Sequence, residues 1–454
     1  MTLAQPKVTF AHRSERAANL RTVNILHLTK SDAGGGAALG FLRIHEALLS
    51  QGHASCAIVR NGTDRVEGIS TTRGQVAFPR SACVATKRVA MKALRLFDSP
   101  VGVFDVDAEA VADASTLVRM ARRLGSRWDL VMVHWAGGFV SPQTVAEVAT
   151  ALGAPIGLWQ VDMAHLTGGC HYSMGCHRYE SGCGHCPSLG WRHANDRSAT
   201  QAAARQRVWQ HVRPIILAQS VWSAHQAKTS WVLRADHVIV APIPVDESRF
   251  AVPDRSWARA ELGVSPESPV MLVRSVGLDV AYKGMPLLLE ALRKLAPCLA
   301  DRGMQLTVAA FGHRGLWPHD VPGIQWLDLG EMHGERALAQ CYAASDFLVS
   351  PSIQDAGPMV ISEAMLAGCP IVAFPVGLAA DFVEPGVTGE LAERTGSVED
   401  LAQCILRMCE RPRLELRRMG DYARQRVARE LHPARFCRTL ESGLQAVRES
   451  RPAR

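Results

Sequence analysis

Residues 346–374, DFLVSPSIQDAGPMVISEAMLAGCPIVAF, constrain this chain more than any other stretch. They read as strand, loop, helix, turn, strand. Phe347 to Val349 is a short β-branched and aromatic run, and Pro351 ends it. Pro358 takes a first helical position, where its missing N–H costs nothing. Helix formers run from Met359 to Ala367, Gly368 stops the helix and Pro370 follows. The apolar run Ile371–Phe374 predicts a buried parallel strand.

Two carboxylates bracket the start of that helix. Asp355 lies in the loop before it and Glu363 about one turn inside it. Between them stand the amides of Gly357, Met359 and Val360, at the positive end of the helix, a ready phosphate site. A carboxylate inside the helix suits a sugar diol, and one before it suits another polyol. The set fits a nucleotide-sugar diphosphate.

The run resembles the acid-x7-Glu motif of the family-4 retaining glycosyltransferases, which have the GT-B fold. The first acid is usually Glu there and is Asp355 here. The flanking words, PS before the acid and EAM, AG and PIVAF after it, also match. The likeness looks closest to the exopolysaccharide (colanic-acid-type) branch. It implies an α/β chain of two Rossmann-like, doubly wound parallel-sheet domains facing a cleft.

Bulk properties agree with such a chain. Its 454 residues suit two domains. No apolar run reaches the roughly 18 residues of a membrane span, and residues 1–20 lack the apolar core of a signal peptide. We expect a disordered tail there, on a cytoplasmic protein. Net charge is +7, but no basic stripe carries interleaved aromatics, so nucleic acid is not expected as a partner. Residues 84–97, VATKRVAMKALRLF, predict a basic amphipathic helix with Arg88, Lys92 and Arg95 on one face. It suits a solvated face or peripheral contact with anionic lipid on the inner face of the membrane.

The first domain is expected over 21–245. A strand at Val23–Leu28, the glycine-rich SDAGGG and a helix over 37–50 open it in Rossmann-like fashion. The glycines at 34, 35, 36 and 40 do not spell G-x-G-x-x-G, and the second strand ends in Arg60 and Asn61 with no acid for a ribose, which excludes NAD. The resemblance instead places Gly35 and Gly36 on the inter-domain cleft, near donor and acceptor, and a tight turn that packs helix on strand is the alternative. The buried strand Asp129–Trp135 carries His134 at its end, a candidate acceptor-side contact or a packed core histidine. The strand Pro155–Val161 leads to Asp162, a candidate to orient the acceptor hydroxyl or take its proton. Family members usually have His immediately before that Asp, where this chain has Val161.

Residues 167–190 follow, TGGCHYSMGCHRYESGCGHCPSLG. Cys170, Cys176, Cys183 and Cys186 can make a tetrahedral site of four thiolates. The stretch lacks any apolar periodicity that would hold so long a loop, so a structural zinc is the expected support, with His171, His177 and His185 as competing ligands. Four reduced thiols without metal are the alternative.

Prolines in 241–250 mark the linker to a second domain over 246–430. Its first strand, Pro269–Ser275, is followed by Lys283 and Gly284 opening a helix. The resemblance gives Lys283 the donor diphosphate. Many relatives carry an arginine where this chain has Leu278, and Arg274 is the expected substitute. Glycines at 386 and 389 predict a turn. Residues 431–454 are expected to form a helix crossing back to the first domain.

The resulting expectation is a retaining hexosyl-type transferase with Asp355, Lys283 and Asp162 as catalytic candidates. Glu363, Gly357, Met359, Val360, Gly35, Gly36 and Arg274 would bind a UDP- or GDP-linked donor. The acceptor would be a glycan or lipid-linked oligosaccharide in surface polysaccharide synthesis. No D-x-D motif stands at the expected place, so no cofactor is expected for the chemistry. A nucleotide-sugar epimerase and a non-catalytic sugar-binding scaffold of the same fold are the alternatives.

Overall fold

The computed structural model describes residues 22–63, 66–72, 104–189, 193–250, 254–265, 268–275, 280–312, 321–332 and 334–450. The tail 1–20, the basic helix expected over 84–97 and Leu278 lie outside them. Among the described residues, thirteen parallel strands form two sheets.

The first sheet contains β1 (Asn24–Ser31), β2 (Ala54–Asn61), β3 (Ile69–Thr71), β4 (Leu130–Val133), β5 (Ile156–Trp159), β6 (Ile215–Ala218) and β7 (Val238–Val240). Their order is β3-β2-β1-β4-β5-β6-β7. Register is set by pairs such as Ile25↔Ser55 and Ile25↔Leu130. All residues of LVMV, IGLW and IILA in β4, β5 and β6 are buried. Apolar runs of this kind suit central parallel strands covered by helices on both faces.

The second sheet contains β8 (Val270–Ser275), β9 (Leu306–Gly312), β10 (Ile324–Gly330), β11 (Phe347–Ser350), β12 (Ile371–Ala373) and β13 (Gly389–Leu391), in the order β10-β9-β8-β11-β12-β13. The expected turn spans residues 386–388, and Gly389 opens β13 directly after it. A Cβ at Gly389 would sit 1.9 Å from the Ile371 carbonyl oxygen, so the strand pairs this closely only with glycine.

Residues 241–250 carry the chain between the sheets, with Ala241, Ile243, Val245 and Phe250 buried. After the second domain the helix Pro433–Ser450 packs on the first. Its Arg448 bonds Asp129 at 2.7 Å, and its Glu441 meets His53 at 3.0 Å. Cys437 points its thiol at the Ala47 carbonyl in the helix Gly35–Ser50. The carboxyl ends of both sheets thus face one cleft, where ligands of open α/β sheets bind.

Candidate functional site

The cleft between the domains has a volume of about 400 Å³. Its first-domain wall is built by the segments that leave β1, β4, β5 and β6. These give Gly34, Gly35 and Gly36, then Trp135, then Val161 and Asp162, then Gln219. Gly34 and Gly35 have φ of 77° and 79°, and no atom stands within 4 Å of a Cβ built on either. This left-handed turn leaves open space where a side chain would otherwise stand. The second-domain wall brings Arg274, Lys283, Asp355, Gly357, Met359 and Val360.

Lys283 and Asp355 meet on that wall, Nζ to Oδ2 at 2.5 Å. Asp355 is 7% exposed, and its Oδ1 accepts the Gly357 amide at 3.2 Å. That amide, expected to face a phosphate, is therefore engaged by the acid two residues before it. Gly284 has φ of 68°, and a Cβ there would sit 1.9 Å from the Pro351 carbonyl oxygen. Only glycine lets the lysine approach the Asp355 loop this closely.

Glu363 does not line the cleft. All eight residues of its helix, Met359–Leu366, are buried, because the helix is covered by both domains. Arg43 of the first domain donates to Glu363 Oε1 at 2.7 Å, and Tyr342 donates its hydroxyl to Oε2 at 3.0 Å. Side-chain exposure is 3% for Arg43 and 4% for Glu363. The sequence reading passed over Arg43, which is one arginine in an ordinary helical pattern.

His134 is not on the inter-domain wall but lines an adjoining pocket of the first domain with Trp135, Val161 and Asp162. It is fully buried, and burial, then repulsion from His165 and His45, pushes its pKa down to about 3. Its Nε2 lies 2.9 Å from His27 Nδ1, His27 Nε2 lies 2.9 Å from Ser55 Oγ, and Ser55 Oγ lies 2.7 Å from His45 Nδ1. His45 Nε2 ends the chain on the Glu67 carbonyl. A carbonyl only accepts, so each neutral ring in turn must donate toward it. Of the two readings of His134, the packed core histidine accounts for its Nε2, while its buried Nδ1 has no partner among the described residues.

Asp162 does reach the cleft, but its oxygens are occupied. Oδ1 accepts the Ala164 amide at 2.7 Å, and Oδ2 lies 2.5 Å from His171 Nδ1. His171 Nε2 lies 3.2 Å from Asp105 Oδ2. Burial alone would lower the histidine's pKa, yet the two carboxylates outweigh it and hold the imidazole protonated, at about 10.

The backbone of the cysteine loop is held by hydrogen bonds from a neighbouring helix, a support that its lack of apolar periodicity does not show. The helix Arg197–Val212 presents Ser198, Gln201 and Arg205, spaced i, i+3, i+7 on one face. Ser198 Oγ takes the Gly184 amide, Gln201 donates to the Gly168 carbonyl and Arg205 to the Thr167 carbonyl. Asp196 at the helix start accepts the Cys186 amide at 2.7 Å. Cys170, Cys176, Cys183 and Cys186 still border one void of about 20 Å³. Among the described residues no three His, Cys, Asp or Glu side chains are set to hold a metal ion.

The Arg43 and Glu363 pair makes a direct prediction. Arg43→Met leaves the buried Glu363 without a cation, with only the Tyr342 hydroxyl on it, and should lower stability in urea denaturation by about 3–5 kcal/mol. Adding Glu363→Gln should recover most of the loss. A loss below about 1 kcal/mol for the single variant, the size of an exposed pair, would mean that no buried clamp exists.

Comparison with known proteins places this geometry. A family model described as "Glycosyl transferases group 1" matches residues 270–411, which hold Lys283, Asp355 and Glu363. A D-inositol 3-phosphate glycosyltransferase of Nocardia farcinica is 27% identical over 321 residues, covering 68% of this chain and 64% of that protein. Another, of Geodermatophilus obscurus, is 36% identical over 167 residues, 34% of this chain and 36% of that protein. The chain thus matches less than two thirds of either relative's length. Among solved structures, Anabaena HepE in complex with UDP and glucose has a TM-score of 0.61 at 18% identity, covering 93% of this chain and 100% of that one. Sucrose-phosphate synthase of Thermosynechococcus elongatus has a TM-score of 0.62 at 16% identity, covering 94% and 98%. At those identities the likeness concerns the fold. The chain has the two-domain GT-B fold, and its second domain matches the group 1 glycosyl transferases.

Proposed function

We propose that the protein is a retaining glycosyltransferase that moves a hexosyl unit from a UDP- or GDP-linked donor to a glycan acceptor. The observation that carries this reading is the Lys283 and Asp355 pair at the start of a helix, on the wall of an inter-domain cleft. The group 1 family match over those residues and the curated relatives' names support it.

In this reading the bond from the anomeric carbon to the diphosphate oxygen breaks, a bond to the acceptor oxygen forms, and the acceptor's hydroxyl proton passes to the leaving diphosphate. Lys283 meets the negative charge that develops on the leaving diphosphate, with Arg274 on the same wall of the cleft. Asp355 holds hydroxyls of the donor sugar. Asp162, already bonded at both oxygens, orients the acceptor hydroxyl. Gln219 lines the cleft with its buried Oε1 unpartnered among the described residues. A buried acceptor of this kind suits a sugar hydroxyl. Glu363 takes the ribose hydroxyls only once Arg43 releases it.

The acceptor of our reading is a lipid-linked oligosaccharide of surface polysaccharide synthesis, met by a cytoplasmic enzyme at the inner membrane face. No described helix is long and apolar enough to cross a membrane. The chemistry asks for no cofactor. A structural zinc is a separate proposal that rests on the four thiols sharing one void. Elemental analysis of the purified chain decides it. About one zinc per chain, lost in Cys183→Ser, supports the ion, and a metal-free wild type removes it.

The donor site is tested by titration calorimetry with UDP and uridine. Lys283→Ala should weaken UDP binding roughly 10- to 100-fold, the value of a charge-assisted hydrogen bond. Uridine binding should hardly change. Equal loss for both ligands, or none for UDP, would take the diphosphate away from Lys283.

A further inference from the structure

The loop that carries the cysteines also crosses the cleft, and the geometry points to a positioning role for it. We propose that residues 171–174 form a strap that ties the second-domain segments bearing Lys283 and Asp355 to the first domain, and so positions that charge pair. The inference rests on the reading of that pair as the donor site.

The four residues divide their contacts in order. His171 is anchored on the first domain by Asp162 and Asp105, and its carbonyl accepts the Met163 amide at 3.0 Å. The next three residues grip the second domain. The Tyr172 ring stacks on Tyr282 with centroids 3.7 Å apart and planes 13° from parallel. Gln354 donates to Ser173 Oγ at 3.1 Å and accepts the Met174 amide at 2.8 Å. Met174 has φ of 48°, a left-handed conformation that a non-glycine residue keeps only where its surroundings hold it.

The second-domain grips are the immediate neighbours of the two charged groups. Tyr282 precedes Lys283, and Gln354 precedes Asp355. The Ile353 amide also donates to the Tyr282 carbonyl at 2.9 Å, so both segments move as one unit. Gln354 is 6% exposed, so its amide has lost water and depends on these partners. A shift of the strap is therefore passed to Lys283 and Asp355 through one peptide unit each. Displacing a reacting group by about 1 Å can cost about 10²-fold in rate.

The test is hydrogen exchange on the full chain, with UDP affinity measured beside it. Tyr172→Ala and Gln354→Ala should each speed amide exchange in residues 280–284 and 352–357, by about tenfold if roughly 1.4 kcal/mol of local stability is lost. Tyr172→Phe, which keeps the stack, should not. Residues 401–410 serve as the remote control for folding. If Gln354→Ala does not fold, Tyr172→Ala against Tyr172→Phe carries the test. UDP affinity should fall in the two alanine variants. Unaltered exchange in both segments, with wild type binding UDP, overturns the strap and leaves the donor site standing. Faster exchange in a protein that binds no nucleotide keeps the strap and removes the donor reading.

Discussion

The cleft depends on one buried ion pair between domains, Arg43 to Glu363 at 2.7 Å. Taking two charges from water is costly, and a buried pair is weak support for net stability. What this pair supplies is register. Arg43 lies in the helix that follows the glycine turn, and Glu363 lies in the helix that follows Asp355. Holding these two carboxylate-end segments together fixes the facing walls of the cleft. Tyr342, itself fully buried, takes the second carboxylate oxygen, so neither oxygen of Glu363 is left without a partner.

That arrangement describes a closed state. Both acidic residues expected to meet a donor already have cations, Lys283 on Asp355 and Arg43 on Glu363. A ligand that uses either carboxylate must exchange with that cation. For Lys283 the exchange is local, since the same ammonium can turn to a phosphate. For Arg43 the partner belongs to the other domain, so release of Glu363 involves separating the domains there. Ligand binding and domain movement are then coupled by the charge chemistry of the cleft.

Much of the fold was legible because apolar runs in parallel strands are long and covered on both faces. FLVS and IGLW read as strands without context. The strands β3 (IST) and β13 (GEL) have three residues each, and unlike the equally short β12 (IVA) neither is an apolar run. That Asp355, Lys283 and Asp162 would line the cleft was legible because each follows a strand of its sheet, and such loops gather at the carboxyl ends. His134 stayed open between two readings because a strand end reads the same whether the ring meets the cleft or turns back onto His27. Arg43, Tyr172, Tyr282 and Gln354 had no local signal at all. Their meaning lies in partners 320, 110 and 181 residues distant (363 − 43, 282 − 172 and 354 − 173), which only the fold brings together. The hydrogen-bonded support of the cysteine loop was not legible for the same reason: Ser198, Gln201 and Arg205 lie on a polar helix face beyond the loop, and only the fold brings them to Gly184, Gly168 and Thr167.

The central claim is that the cleft takes a nucleotide-sugar diphosphate. A thermal-shift screen against UDP, GDP, ADP, CMP and their sugars tests it most directly. A ligand bound only by the folded chain stabilises it by about 2.7 kcal/mol at a hundredfold excess over its dissociation constant. The account predicts a clear rise in melting temperature with one diphosphate nucleotide and its sugar. No rise with any of them, at millimolar ligand, would contradict it.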